Sequence, residues 1–303
     1  MGSTFFDDES DRLHLPYRLA VLGSPIAHSR SPLLHRTAYS VLGLPWSYDA
    51  IDVDSASLPG FVAGLDAGWR GLSLTMPLKE TVLPLLDSID TVATAAGGAN
   101  TVLVTHHDGR RRLDGFNTDV YGMREALVRA GIDSVRRVAV IGGGATARSA
   151  VVAAAQLGAE HADVVLRSPA KAASVVESAR LAGLSSSVVA LRDESAVRAL
   201  GADLTISTLP GDAAATPALA HAEGLHAAPL LDVAYHPWPS ALAGLWESRG
   251  ARAVPGLAML AHQAVAQIRI FVHGDPLVPL PDEERVTASL LAALDLSAEG
   301  APL

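Results

Sequence analysis

The chain has 303 residues, of which 49% are hydrophobic and 18% charged, so it is long enough for two domains and not composed like a disordered chain. A net charge of −9 argues against nucleic acid as the main partner, and the absence of cysteine removes disulfides, thiolate nucleophiles and Cys-based metal sites. No apolar run reaches the length of a membrane span, and Asp7, Asp8, Glu9 and Asp11 stand where a signal peptide would be basic and then apolar. A cytoplasmic chain with no membrane partner is expected, with residues 1 to about 15 a loose tail.

Tyr17–Leu22 reads as the first strand, ended by Gly23-Ser24-Pro25. Ser31-Pro32 then opens a helix to Val41, with Ser as N-cap, Pro at the first helical position and Gly43 closing it. Ser47–Val53 is a strand, Leu58–Leu65 a short helix and Trp69–Leu74 a third strand, stopped by Thr75-Met76-Pro77. Helical segments follow over about 78–86 and 89–96. Asn100–Thr105 and Arg111–Phe116 read as a hairpin turned at His107-Asp108-Gly109. This first part is a βαβαβ unit with an antiparallel edge.

Thr118 or Asp119 caps a helix to about Arg129. Val138–Ile141 is a short apolar run of the kind that forms a buried parallel strand. Gly142, Gly144 and Ala147 follow it as G-x-G-x-x-A, a form the dinucleotide-binding fingerprint allows. The first glycine permits the tight turn, the second lets backbone approach a pyrophosphate, and the small Ala147 lets the next helix pack close. Ser149–Leu157 reads as that helix, stopped by Gly158, and the free N–H groups at its start would bind phosphate oxygens. Without a ligand, the same stretch is a tight turn between strand and helix.

Regular alternation follows: strand 163–167, helix 169–182, strand 188–191, helix 194–200, strand 203–208, a looser segment 212–223, strand 229–234, helix 239–248, strand 251–254 and a helix from Gly256 to Phe271. A last helix lies near 283–294. Such alternation predicts a parallel sheet covered by helices on both faces, restarting near residue 118.

A unit that binds NAD usually carries an acid at the end of its second strand, for the ribose 2′-OH. Here that end is Leu166-Arg167-Ser168, with Lys171 one helical turn on. Cationic donors suit a 2′-phosphate, so NADP is expected rather than NAD. Asp163 has the expected offset from Gly142 but sits at the start of its strand, on the wrong edge of the sheet. For proton transfer to a secondary alcohol or ketone, none of the 11 histidines stands in a suitable motif, and His28 and His35 read as structural. Lys79 follows a strand end and a Thr-x-Pro turn, where α/β proteins bind ligands. Ser29 and Ser31 offer hydroxyls beside a helix N-terminus, a place for a substrate carboxylate.

Several blocks in order resemble one family. Gly23-Ser-Pro-Ile-Ala-His-Ser-Arg-Ser-Pro32 with His35, Gly71-Leu-Ser-Leu-Thr-Met-Pro-Leu-Lys79, Gly98-Ala-Asn-Thr101 and Gly115-Phe-Asn-Thr-Asp119 with Gly122 are similar to the signatures of shikimate dehydrogenases. So are Asp232-Val-Ala-Tyr-His-Pro-Trp-Pro and Gly256-Leu-Ala-Met-Leu-Ala-His-Gln263-Ala. The resemblance spans residues 17 to about 272 and departs at three places. Ser73-Leu74-Thr75 stands for Asn-Val-Thr, Gly142-Gly-Gly-Ala145-Thr for G-A-G-G-A, and Leu166 for the Asn before the arginine.

The resemblance implies NADP-linked interconversion of 3-dehydroshikimate and shikimate, in aromatic amino acid biosynthesis. It implies an α/β substrate domain over 1–117 and 256–303, a Rossmann-type doubly wound NADP domain over 118–255, and C-terminal helices returning to the first domain. Lys79 and Asp119 would be the catalytic pair. Ser29 and Ser31 would hold the substrate carboxylate, and Thr75, Asn100, Asp119, Tyr235 and Gln263 the ring hydroxyls. NADP would meet Gly142, Gly143, Gly144, Ala145, Thr146, Ala147, Arg167, Ser168 and Lys171, with Thr208 along it and Gly256 and Met259 near the nicotinamide. No metal is needed, and the chain would act as a monomer or homodimer. The alternatives left open are a relative acting on quinate or an amino-shikimate, with NADP or NAD, and a non-catalytic nucleotide-binding protein on the same fold.

Overall fold

The computed structural model describes residues 13–210 and 217–303. Most of the expected N-terminal tail and residues 212–216 of the expected looser segment lie outside the described residues. The first sheet holds β1 (Arg18–Gly23), β2 (Ser47–Asp52), β3 (Trp69–Leu74), β4 (Ser88–Ile89), β5 (Thr101–His107) and β6 (Arg110–Phe116). Their order is β2-β1-β3-β5-β6-β4. β1 pairs parallel to β2 and β3, while β5 runs antiparallel to β3 and β6. The β5–β6 turn is two residues, Asp108 and Gly109, both at positive φ, as a type I′ turn requires.

The second sheet holds β7 (Arg137–Ile141), β8 (His161–Leu166), β9 (Ser185–Ala190), β10 (Leu204–Ser207), β11 (Leu230–Asp232) and β12 (Ala253–Pro255). Its order, β12-β11-β10-β7-β8-β9, is all parallel, so the strand order reverses between β7 and β10. Reversal opens a crevice at the carboxyl ends of those two strands, where α/β sheets bind ligands. Val138, Ala139, Val140 and Ile141 are fully buried, as a central parallel strand covered on both faces demands.

The fold is therefore α/β with two sheets. After β12 the helix Gly256–His273 crosses back to the first sheet: Arg70 on β3 donates to Phe271 O at 2.6 Å, and Ser73 on β3 donates to Gln267 Oε1 at 3.0 Å. That helix also lies against the helix Thr118–Arg129. The crossing is close because residue 122 is glycine: a Cβ there would stand 2.6 Å from Met259 O.

Several sequence-based boundaries move. Ser31 is the first residue of its helix rather than its N-cap; Arg30 holds that position with no side-chain cap. Ser29 Oγ instead accepts from Ser31 N at 3.3 Å. Likewise Asn117, not Thr118 or Asp119, is the N-cap of the helix Thr118–Arg129, which places Asp119 in its first turn. The helix expected from Ser149 begins at Ala145, directly after the glycine turn. The region 78–96 breaks into a helix Leu78–Thr81, a 3-10 turn Leu83–Leu85, β4 and a helix Thr91–Ala96. Within the looser segment the described part forms short helices, Pro217–Ala220 and Glu223–His226.

Candidate active site

Two neighbouring cavities lie at the carboxyl ends of the central strands. The first, about 270 Å³, is lined by Ser29, Ser31, Thr75, Lys79, Asp119, Tyr235, Met259 and Gln263, with Thr146, Gly256, Ser73, Arg30 and Gln267 among its other walls. The second, about 670 Å³, is lined by Gly142, Gly143, Gly144, Leu166, Arg167, Ser168 and Lys171. The residues expected for substrate thus gather in one cleft, save Asn100, while half of those expected for cofactor line the other and Thr146, Gly256 and Met259 line the first.

In the first cleft Lys79 Nζ donates to Asp119 Oδ2 at 2.5 Å, with the two side chains 13% and 5% exposed. Lys79 stands on the short helix after β3, and Asp119 in the first turn of the helix after β6. Asn100 does not line the cleft but stands behind Asp119. Its Oδ1 accepts from Thr118 N at 2.8 Å, so the amide orientation is settled and Nδ2 faces Asp119 Oδ1 at 2.8 Å and Gln263 Oε1 at 3.0 Å.

The donors behind Asp119 form a directed chain. Tyr48 OH donates to Ser73 Oγ at 2.6 Å, and Ser73 Oγ to Gln267 Oε1 at 3.0 Å. Gln267 Nε2 donates to Thr101 Oγ1 at 3.0 Å, and Thr101 Oγ1 to Asn100 Oδ1 at 2.8 Å. His35 joins it by Nε2, 3.0 Å from Gln267 Oε1, with Nδ1 3.1 Å from Tyr39 OH. Burial, partly offset by the Gln267 bond, lowers the His35 pKa to about 3, so the ring is neutral and structural. Burial likewise pushes the Tyr48 phenol up. Gln267 and Tyr48 are not among the residues the sequence singles out, and Ser73 enters there only as a departure from the family's Asn. Gln267 had a signal, being one helical turn after Gln263 and so on the same helix face.

The second cavity fits a dinucleotide on three observations. Gly142 has φ +132°, and a Cβ there would fall 2.1 Å from Thr208 Oγ1, so only glycine makes this turn. The helix Ala145–Gln156 starts at Gly144 with no side-chain cap, leaving its first N–H groups for an anion. Arg167 and Lys171 are exposed on the cavity wall and form no salt bridge among the described residues. Ala147 is buried against the sheet, while Thr146 turns into the first cavity, marking the join between the two. Thr208 lines neither cavity; its hydroxyl donates to Ile141 O at 3.1 Å, beside the glycine turn. Asp163 sits at the opposite edge, held by both Arg137 Nε and Nη2 at 2.7 and 2.9 Å.

Residues 21–102 match the model of the shikimate dehydrogenase substrate binding domain. The chain is 38% identical over 286 residues to "Shikimate dehydrogenase (NADP(+))" of Methylobacterium radiotolerans, covering 90% of this chain and 97% of that protein. Its fold matches the crystal structure of Mycobacterium tuberculosis shikimate dehydrogenase with a TM-score of 0.77 at 39% identity, covering 91% of this chain and all of that one. The Thermus thermophilus shikimate 5-dehydrogenase in complex with NADP(H) and shikimate matches with a TM-score of 0.75 at 33% identity, over 91% of this chain and 99% of that one.

Proposed function

The chain belongs to the shikimate dehydrogenase family, and we propose from that premise that it catalyses the reversible NADP-dependent reduction of 3-dehydroshikimate to shikimate. The observation that carries the reading is the buried Lys79–Asp119 pair, set in a polar cleft beside an uncapped glycine turn with Arg167 and Lys171 exposed on its far wall. Bound in the second cavity, NADPH supplies the hydride. Gly142 to Ala147 would hold its pyrophosphate, and Arg167, Ser168 and Lys171 its 2′-phosphate. Thr208, Gly256 and Met259 would lie along the path to the first cleft.

Lys79 donates the proton to the C3 oxygen during reduction and takes it back during oxidation. Asp119 fixes the position of the ammonium. Ser29 and Ser31 hold the ring carboxylate through their hydroxyls, which both line the cleft at the start of this helix. Thr75, Tyr235 and Gln263 hold the ring hydroxyls. Asn100 acts from behind, orienting Asp119 and Gln263. A polyol ring rewards such a set, because an analogue lacking a hydroxyl leaves buried groups unpaired.

The reading divides the chain into a substrate domain, 1–117 with 256–303, and an NADP domain, 118–255, in a cytoplasmic enzyme acting as a monomer or homodimer. Initial rates with shikimate and quinate, each against NADP and NAD, test it. Shikimate with NADP is expected to have the highest kcat/KM; no turnover of shikimate with either cofactor would refute the proposal.

A further inference from the structure

Arg148 is the fourth residue of the helix that begins at the glycine turn, yet its side chain leaves the nucleotide domain altogether. It is 7% exposed. Nε donates to Ala96 O at 2.9 Å and Nη2 to Gly97 O at 3.2 Å, the carbonyls that end the helix Thr91–Ala96. A cation suits that helix C-terminus. Nη2 also meets Glu80 Oε1 at 2.7 Å.

Glu80 is the residue after Lys79. The strip that Arg148 grips also holds Lys79 from its other side: Ala99 N donates to Lys79 O at 2.9 Å, and a Cβ on Gly98 would stand 3.2 Å from that same carbonyl. One guanidinium therefore bridges residue 80 and residues 96–97, closing a ring around the Lys79 backbone. Beside it, Asn117 Nδ2 donates to Gly98 O at 2.8 Å and to Ser149 Oγ at 3.2 Å, a second tie between the same strip and the same helix.

We propose that Arg148 is a positioning residue: it sets Lys79 in register with the phosphate-binding turn, so that the proton donor and the seated cofactor address the same ring carbon. The inference rests on the reading of Lys79 as the proton-transfer group. Arg148 touches neither ligand cavity, so its removal leaves substrate and cofactor contacts in place and shifts only the donor. A misplacement of about 1 Å at the reacting centre costs up to roughly a hundredfold in rate.

The test is kcat together with shikimate and NADP dissociation constants for Arg148→Met and Arg148→Lys, each made in the wild-type chain and in Lys79→Met. Arg148→Met is expected to lower kcat about 10- to 100-fold, with both dissociation constants within about threefold of wild type. Arg148→Lys is expected to lose severalfold, because an ammonium cannot span two carbonyls and a carboxylate as the planar fork does. Both losses should vanish in the Lys79→Met background, since a residue acting only through Lys79 has nothing left to position. A merely structural role would cost the same in both backgrounds and would weaken shikimate binding in step with rate, and either result overturns the inference. Wild-type kcat in Arg148→Lys does so too, and that variant carries the test if Arg148→Met does not fold. A wild-type enzyme that fails to turn over shikimate refutes the proposed function instead, independently of Arg148.

Discussion

Replacing Lys79 by Met removes the ammonium and keeps most of the side-chain volume. General acid–base catalysis contributes on the order of 10²–10⁴ in rate, so the chemical step should slow by roughly 3–5 kcal/mol. The same change strands Asp119, whose Oδ2 loses its partner at 2.5 Å while Oδ1 keeps Asn100 Nδ2 at 2.8 Å. Breaking a fully buried pair costs about 3–5 kcal/mol, but one oxygen stays bonded and the cleft admits water, so about 1–2 kcal/mol of stability is expected to go. Shikimate affinity should change much less, because Ser29, Ser31, Thr75 and Gln263 line the same cleft and are untouched. The assay combines kcat, the shikimate dissociation constant by calorimetry, and urea unfolding. A near-wild-type kcat removes Lys79 from the proton transfer. A loss of affinity as large as the loss of rate makes it a binding residue instead.

Arg167→Ala should raise the KM for NADP by at least about tenfold, the loss of one charge-assisted contact, and leave that for NAD nearly unchanged; equal effects on both would detach Arg167 from the 2′-phosphate. Ser29→Ala and Ser31→Ala should each weaken shikimate binding by about 1.5–3 kcal/mol, the range for a hydrogen bond to a charged group, and unaltered saturation in the double variant would move the carboxylate elsewhere. Burial lowers His35 to about 3 and His262 to about 4, so below pH 6.5 the unfolded chain takes up protons that the folded chain refuses. Stability should therefore fall as the pH drops from 7 to 5, by about 2 kcal/mol for each ring. His262→Gln should abolish its share of that loss, measured by urea titration at the two pH values; an identical pH dependence in the variant would show that His262 titrates normally.

The nucleotide half was legible because its demands fall on single residues. A turn at φ +132° against Thr208 admits glycine alone, and a 2′-phosphate demands cations at one strand end. Strand direction alone puts Asp163 on the sheet edge away from the glycine turn, where it pairs with Arg137. What the sequence hid were features set by distant partners. β4 is two residues long and exists only because β6 lies beside it, so it has no periodicity to read. The helix after the glycine turn starts four residues earlier than its Ala-rich run indicated, because the turn is complete at Gly144. Ser31 carries the residue type of an N-cap yet sits one position inside, since Ser29 Oγ accepts its N–H. Arg148 reads as an ordinary helix residue; its partners lie about 50 and 70 positions away in sequence.

The order of hydrogen bonds behind Asp119 explains how one carboxylate serves two purposes. Thr118 N can only donate, so Asn100 Oδ1 must accept and its Nδ2 must face outward. That donor occupies Asp119 Oδ1, which leaves Oδ2 as the oxygen turned to Lys79. The upstream links, from Tyr48 through Ser73, Gln267 and Thr101, run in the same sense, each donor polarised by the one before it. All of these groups are neutral, and the neutral His35 ring adds no charge, so the formal charges that meet this network are those of the Lys79–Asp119 pair. A half-satisfied network here would let the carboxylate rotate and trade its oxygens. A fully committed one holds a single geometry before the substrate arrives, which is what the proton-donor role proposed for Lys79 needs if little of its barrier is to be spent on reorganisation.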